Sequence, residues 1–251
     1  VTDGPALLVV DGLAKRFGQL VVVADLSFEV RPGQALGVVG PNGAGKSTML
    51  NLINGVIAAD RGSIQFDGRD ISRLGAAQRC MAGIARTYQV PQPFAGMTVL
   101  ENVLVGAELG SGRRRGDAHQ LAYSALDATG LLPVANAPAG GLPLLSRKRL
   151  EMARALATDP QLILLDEVAG GLTDQELPAL VETVRGLRDR GVAVIWIEHI
   201  VHALLAVVDK LMCLTYGMML AIGEPREVLS NEAVRSAYLG SSIDVEGAGP
   251  T

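Results

Sequence analysis

Short apolar alternations open the chain. Leu7–Val10, Val21–Val23 and Leu26–Val30 are separated by turn residues, and Arg31-Pro32-Gly33 adds another turn. Period-two patterning of this kind predicts strands of an antiparallel β layer. The run Ala35–Val39 then enters a glycine-rich loop and leaves it at Lys46–Ile53, whose composition predicts a helix ending before Gly55. Ser63–Gly68 reads as one more strand and turn. Between 95 and 160 strand alternation disappears and helical stretches, such as 117–129 and 147–157, replace it. Two continuous apolar runs follow, Leu162–Leu165 and Val192–Ile197, with a helical pattern over 174–189 between them. That is the βαβ order of a parallel sheet buried on both faces. Leu211–Ala221 continues as strand and hairpin, and 225–239 is helical before a Gly/Ser-rich tail. The expected fold class is therefore α/β.

Composition narrows the function classes. With 26 acidic against 22 basic side chains the net charge is -4, and nothing in it favours a nucleic-acid partner. Arg113-Arg114-Arg115 between two glycines is expected to be a solvated loop, too small for a nucleic-acid footprint. Hydrophobic residues make up 49% and charged ones 19%, so the chain can bury enough apolar surface to fold. No run approaches the ~20 apolar residues of a bilayer span; the longest candidate, 192–223, is broken by Glu198, Asp209 and Lys210. Cys80 and Cys213 form no disulfide or zinc spacing, and a reducing compartment with both as buried small hydrophobes is expected. No signal peptide opens the chain, which is read as a cytosolic piece. It starts at Val1 rather than Met, so it is expected to be processed or trimmed.

The chemistry concentrates at two places. Gly40-Pro41-Asn42-Gly43-Ala44-Gly45-Lys46-Ser47 matches the phosphate-binding P-loop, in which backbone N–H groups and a helix N-terminus close around phosphate oxygens. Lys46 is expected to reach the β- and γ-phosphates, Ser47 to give its hydroxyl to Mg²⁺, and Thr48 to add a phosphate hydrogen bond. Leu162–Glu167 is an apolar strand ending in two carboxylates, which directs Asp166 to the magnesium shell and leaves Glu167 beside the attacking water. His199 and His202 are three apart, but no third ligand accompanies them and zinc is not expected.

On these motifs the chain resembles an ATP-binding cassette, the nucleotide-binding subunit of ABC transporters, along nearly all its length. The resemblance implies a RecA-like P-loop NTPase core with an N-terminal antiparallel β layer and an α-helical subdomain. It implies a single ATPase domain over 1–240, with the core at 1–90 and 160–240, the helical subdomain at about 91–159, and a tail at 241–251. Weaker motifs fall in the family's order. Arg86-Thr87-Tyr88-Gln89 resembles the Q-loop, whose glutamine touches magnesium or the attacking water and links the core to the helical subdomain. Ile195–His199 resembles the strand into the switch histidine, where a neutral imidazole can bond the γ-phosphate or the water. Phe17 sits where the family carries the aromatic that stacks on adenine. Gly170-Gly171-Leu172-Thr173 takes the place of the D-loop, with Thr173 where an aspartate or asparagine is usual.

One segment departs from the family. Leu142-Pro143-Leu144-Leu145-Ser146, aligned by the following Arg149–Leu156, stands where the signature Leu-Ser-Gly-Gly-Gln is usual, and neither glycine is present. In the family this helix start meets the γ-phosphate held by the opposite subunit. Leu144 and Leu145 are expected to hinder that approach; Ser146 as helix cap and Arg147, Lys148 and Arg149 as positive charge are the candidate compensations. The implied partner is a second cassette. One with intact glycines gives one competent site, whereas a homodimer has two impaired ones.

Within the family the chain resembles the ATP-binding subunits of branched-chain amino acid uptake systems, through Arg86–Gln89, Thr98–Val103, Glu198-His199 and the ending Tyr216-Gly217…Gly223-Glu224-Pro225…Ala237–Gly240. That implies ATP and Mg²⁺ as ligands, two permease subunits, an external solute-binding protein, and a place on the cytoplasmic side of the inner membrane. The rival reading is a cassette that binds nucleotide and dimerises with little turnover. A soluble cassette acting on ribosomes or DNA is disfavoured, because only one P-loop and no heptad run are present.

Overall fold

The computed structural model describes residues 4–111 and 115–239; Arg113, Arg114 and the tail 241–251 lie outside the described residues, as does the side chain of Arg115. Strands β1 (Leu8–Phe17), β2 (Leu20–Val30), β4 (Arg61–Phe66) and β5 (Arg69–Asp70) form an antiparallel sheet in the order β2-β1-β4-β5. The second sheet is mostly parallel, in the order β10-β9-β3-β8-β7-β6. Its strands are β3 (Ala35–Val39), β6 (Ile84–Arg86), β7 (Leu162–Asp166), β8 (Ala193–Ile197), β9 (Lys210–Thr215) and β10 (Met218–Gly223). Only β10 runs antiparallel, on the edge beside β9.

The two-residue period of a strand explains the core. Leu162 and Leu164 of β7, with Ile195 and Ile197 of β8, face the antiparallel sheet and join Leu8, Leu26 and Phe66 in one buried cluster. Ile163, Leu165, Val194 and Trp196 point the other way into a second cluster, closed by α6 (Leu177–Asp189) and α7 (Val201–Leu205). Both faces are covered, and for that reason these strands are apolar at every position.

Helix α1 (Lys46–Ile53) follows β3, and α2 (Ala76–Met81) precedes β6. Buried Arg79 of α2 donates to the carbonyls of Leu52 and Ile53 at 2.6 and 2.9 Å, satisfying the end of α1. Helices α3 (Val99–Gly110), α4 (Arg115–Ala128) and α5 (Leu144–Leu156) pack around a third cluster of their own, containing Val103, Leu126 and Leu150. Thr98 and Glu101 form a capping box that starts α3. Helices α8 (Pro225–Ser230) and α9 (Glu232–Leu239) end the described chain.

Candidate functional site

The carboxyl ends of β3, β6, β7 and β8 open on one edge of the parallel sheet, where ligands of such sheets bind. Each end delivers one of the segments expected to carry chemistry.

From β3 the chain turns through residues 40–45 into α1. A side chain at Gly40 would place its Cβ 2.1 Å from the Leu214 carbonyl, and at Gly45, whose φ is 98°, 2.4 Å from that of Val22. Only glycine fits at either position. Lys46 is buried, and its ammonium donates to the carbonyls of Gly40 and Pro41 at 2.7 and 3.1 Å. Burial pulls its pKa down, against the opposing charges of Glu167, Asp166 and Cys213. Residues 42–48, with Val22 and Glu167, line a hollow of about 190 Å³. Phe17 lies at the end of β1, half exposed, with the Lys15 ammonium 5.6 Å from its ring centre.

From β7 come Asp166 and Glu167. The Ser47 hydroxyl approaches Asp166 Oδ1 at 3.4 Å, while Arg86 at the end of β6 holds Asp166 Oδ2 at 2.9 Å. Both members of this ion pair are almost entirely buried. Arg86 also donates to Asn51 Oδ1 of α1 at 2.5 Å, so it ties β6, β7 and the P-loop helix together. Glu167 is gripped on both oxygens. Gln89 Nε2 donates to Oε2 at 2.5 Å, and His199 Nε2 lies 2.7 Å from Oε1. Each carboxylate oxygen has two lone pairs, so Glu167 retains acceptor capacity for a third partner. Gln89, Glu167 and His199, far apart in sequence, thus meet at one point beside the P-loop.

Ser47 Oγ and Asp166 Oδ1 are a pair of hard oxygen donors, which suits Mg²⁺, an ion that takes few protein ligands and keeps several waters. No cluster of three His, Cys, Asp or Glu exists among the described residues. The side chain of Gln89 is directed to Glu167 rather than to this pair.

Two expectations are corrected at the start of α5. Ser146 does not cap it: Pro143 is the N-cap, with its carbonyl accepting from Arg147 N at 2.9 Å, and Ser146 lies within the first turn. Nor do Lys148 and Arg149 supply charge to the helix start, where Arg147 alone of the three holds its guanidinium. Arg147 donates to the carbonyls of Leu142 and Gly140, Arg149 donates to that of Ala179, and Lys148 is buried, its pKa lowered by desolvation against the charges of Glu198 and Glu167. Leu144 is exposed at the front of the helix, and Leu145 packs towards the second core cluster. Thr173 donates its backbone N–H and its hydroxyl to Glu176. Cys80 is only half buried and lines a cleft; Cys213 is buried, and that burial pushes its thiol up to about 11.

That cleft, about 870 Å³, lies between the sheet edge and α3–α5, with Arg86, Tyr88, Gln89, Phe94 and Arg154 among its lining. Two residues without an expected role belong to the site: Arg86 and Glu198. The former was visible only as part of the Q-loop string, and the latter only as the neighbour of His199.

The sequence profile of the ABC transporter family matches residues 23–170, more than half the chain. The chain belongs to the ABC transporter ATP-binding family. A profile described as branched-chain amino acid ATP-binding cassette transporter matches residues 219–244 of this cassette. The high-affinity branched-chain amino acid transport ATP-binding protein LivG of Salmonella typhimurium is 35% identical over 94% of the cassette and 98% of its own length. Its counterpart BraF of Pseudomonas aeruginosa is 34% identical over the same shares. A crystal structure of the ADP conformation of an ATP-binding cassette of an ABC transporter superposes with a TM-score of 0.87. It is 31% identical and covers 94% of this chain and 100% of its own. The protein is an ATP-binding subunit of an ABC transporter, and among its described residues no helix is long and apolar enough to cross a membrane.

Proposed function

We propose that this cassette hydrolyses MgATP to drive uptake of branched-chain amino acids or related small polar solutes. The observation that carries hydrolysis is Glu167 held between Gln89 and His199, beside the P-loop and Asp166. The similarity to LivG and BraF, which are branched-chain amino acid transport proteins, and the profile match at 219–244 support the solute class.

In this reading the 40–48 loop holds the phosphates through its backbone N–H groups, Pro41 excepted, and Phe17 stacks on the adenine. Lys46 leaves the Gly40 and Pro41 carbonyls for the β- and γ-phosphate oxygens. Ser47, Asp166 and Gln89 would hold Mg²⁺, which would supply positive charge to offset that of the phosphate oxygens. Glu167 takes the proton of the attacking water as its oxygen bonds to the γ-phosphorus and the β–γ bridging oxygen leaves. Gln89 and His199 fix the carboxylate and the water; such chemistry depends mainly on positioning and electrostatics.

The partners of this reading are a second cassette, two permease subunits that anchor the chain at the cytoplasmic face of the membrane, and an external solute-binding protein. Leu144, Leu145 and the inward-turned Lys148 and Arg149 favour a partner cassette of different sequence, because this helix start lacks both glycines and keeps only Arg147 as charge, already bonded to the Leu142 and Gly140 carbonyls. The same segment favours the second reading, a nucleotide-binding regulatory cassette with little turnover. ATPase rates of the purified chain, alone and mixed with its partner cassette, separate the two. Loss of turnover by at least about 100-fold in Glu167→Gln supports hydrolysis, the range general-base catalysis supplies. Tight ATP binding with no Glu167-dependent turnover in either mixture would sink it.

A further inference from the structure

Glu198 follows β8 directly and is 2% exposed. Its Oε1 accepts the backbone N–H of Ala169 at 2.6 Å and the indole N–H of Trp196 at 3.2 Å. Ala169 stands two residues after Glu167, and His199 one residue after Glu198. The two segments whose side chains meet at Glu167 and His199 are thus fastened to one buried carboxylate.

The turn that carries Glu167 needs such a fastener. Glu167 has φ of 49°, a left-handed conformation disfavoured for a residue with a Cβ, which persists only where the surroundings over-determine it. Three contacts hold it: Glu167 N donates to Ile197 O at 2.9 Å, Gly170 N to Glu167 O at 3.3 Å, and Ala169 N to Glu198. The first two are backbone to backbone; the third is the one that a side-chain change can remove. Lys148 of α5 is buried nearby, and the charges of Glu198 and Glu167 act on it, so the cluster also faces the helical layer.

We propose that Glu198 is a positioning residue for Glu167: by holding Ala169 it registers the Glu167 carboxylate against His199. This rests on the hydrolysis reading for its effect on turnover, but the anchoring itself has its own readout. In the full chain, Glu198→Ala is expected to lower kcat by about 10- to 100-fold, the scale of a misplaced catalytic group. KM for ATP should stay within about 3-fold, because the P-loop does not touch Glu198. Amide exchange at Ala169 should accelerate by at least about 10-fold, and the indole N–H resonance of the only tryptophan should shift. Glu198→Gln, which keeps an acceptor oxygen, should restore kcat and Ala169 protection to within about 3-fold of the parent. Should Glu198→Ala fail to fold, Glu198→Asp withdraws the carboxylate by one methylene and carries the same expectations. Parental kcat and parental Ala169 exchange in Glu198→Ala or Glu198→Asp would overturn the proposal. So would a fall in kcat matched by an equal loss of ATP affinity with no rescue by glutamine. If the parent chain turns over no ATP, the hydrolysis reading fails alone and Ala169 exchange still decides: unchanged protection overturns the anchoring, lost and glutamine-restored protection supports it.

Discussion

Replacing Arg86 by methionine, a side chain of similar length without charge, should expose how much the site depends on one buried ion pair. Arg86 and Asp166 meet at 2.9 Å with side chains 5% and 9% exposed, and Arg86 makes a second bond to Asn51. Removing one member of a buried pair costs about 3–5 kcal/mol, mostly because the remaining charge is stranded. Lys46 already feels the charge of Asp166, which softens the stranding and puts the expectation at the low end, about 3 kcal/mol. For a chain of this size that is a fall in Tm of about 6–12 °C. The assay is urea and thermal unfolding without Mg²⁺ or nucleotide, repeated on Asp166→Asn. In that background the charge to be stranded is absent, so the same change should cost about 1 kcal/mol or less. An equal loss in both backgrounds, or a loss under about 1 kcal/mol with Asp166 intact, would refute the reasoning.

Three further expectations follow from the same geometry. Gly40→Ala should abolish binding of a fluorescent ATP analogue, since its Cβ would lie 2.1 Å from the Leu214 carbonyl; binding within 3-fold of the parent, a modest change of about 0.6 kcal/mol, contradicts it. Gly106→Ala should destabilise the α3–α5 crossing by about 1–3 kcal/mol in urea unfolding, because the new methyl would sit 2.4 Å from the Arg154 carbonyl; an unchanged midpoint counts against this packing. Burial raises the pKa of Glu198 above the usual carboxylate range, against the backbone N–H groups of Ala169 and His199 and the Trp196 indole. The folded chain therefore holds a proton that the unfolded chain has lost above about pH 4.3, and this contribution to stability declines as pH rises through the raised value. Relative to Glu198→Gln, the parent Tm should fall from pH 4 to pH 8; a flat difference excludes the raised pKa.

Local motifs were readable and long-range ones were not. The P-loop and the Asp166-Glu167 strand end are contiguous, so spacing alone announces them, and α1 spans Lys46–Ile53 as expected. The Thr98-to-Glu101 capping box was also present in the sequence and marks the start of α3, a helix not assigned bounds from periodicity. Ser146 misled because a serine before a charged run resembles a cap, whereas burial of Leu142 and packing of Leu145 draw the helix start back to Pro143. Arg86 and Glu198 gained their meaning only from partners 80 and 29 residues away, brought together by strand order. Short β6, whose three residues carry too little alternation to read, is what places Arg86.

The left-handed backbone at Glu167 has an evolutionary reading. Of the five non-glycine residues with positive φ among the described residues, three are aspartates, which tolerate that conformation; Glu167 is not of that kind. Glycine, or asparagine, would relax the turn, so drift under stability alone leads away from glutamate at this position. A lineage of such cassettes released from ATP turnover should therefore lose Glu167 early and gain stability in doing so, leaving the neighbouring fold unaltered.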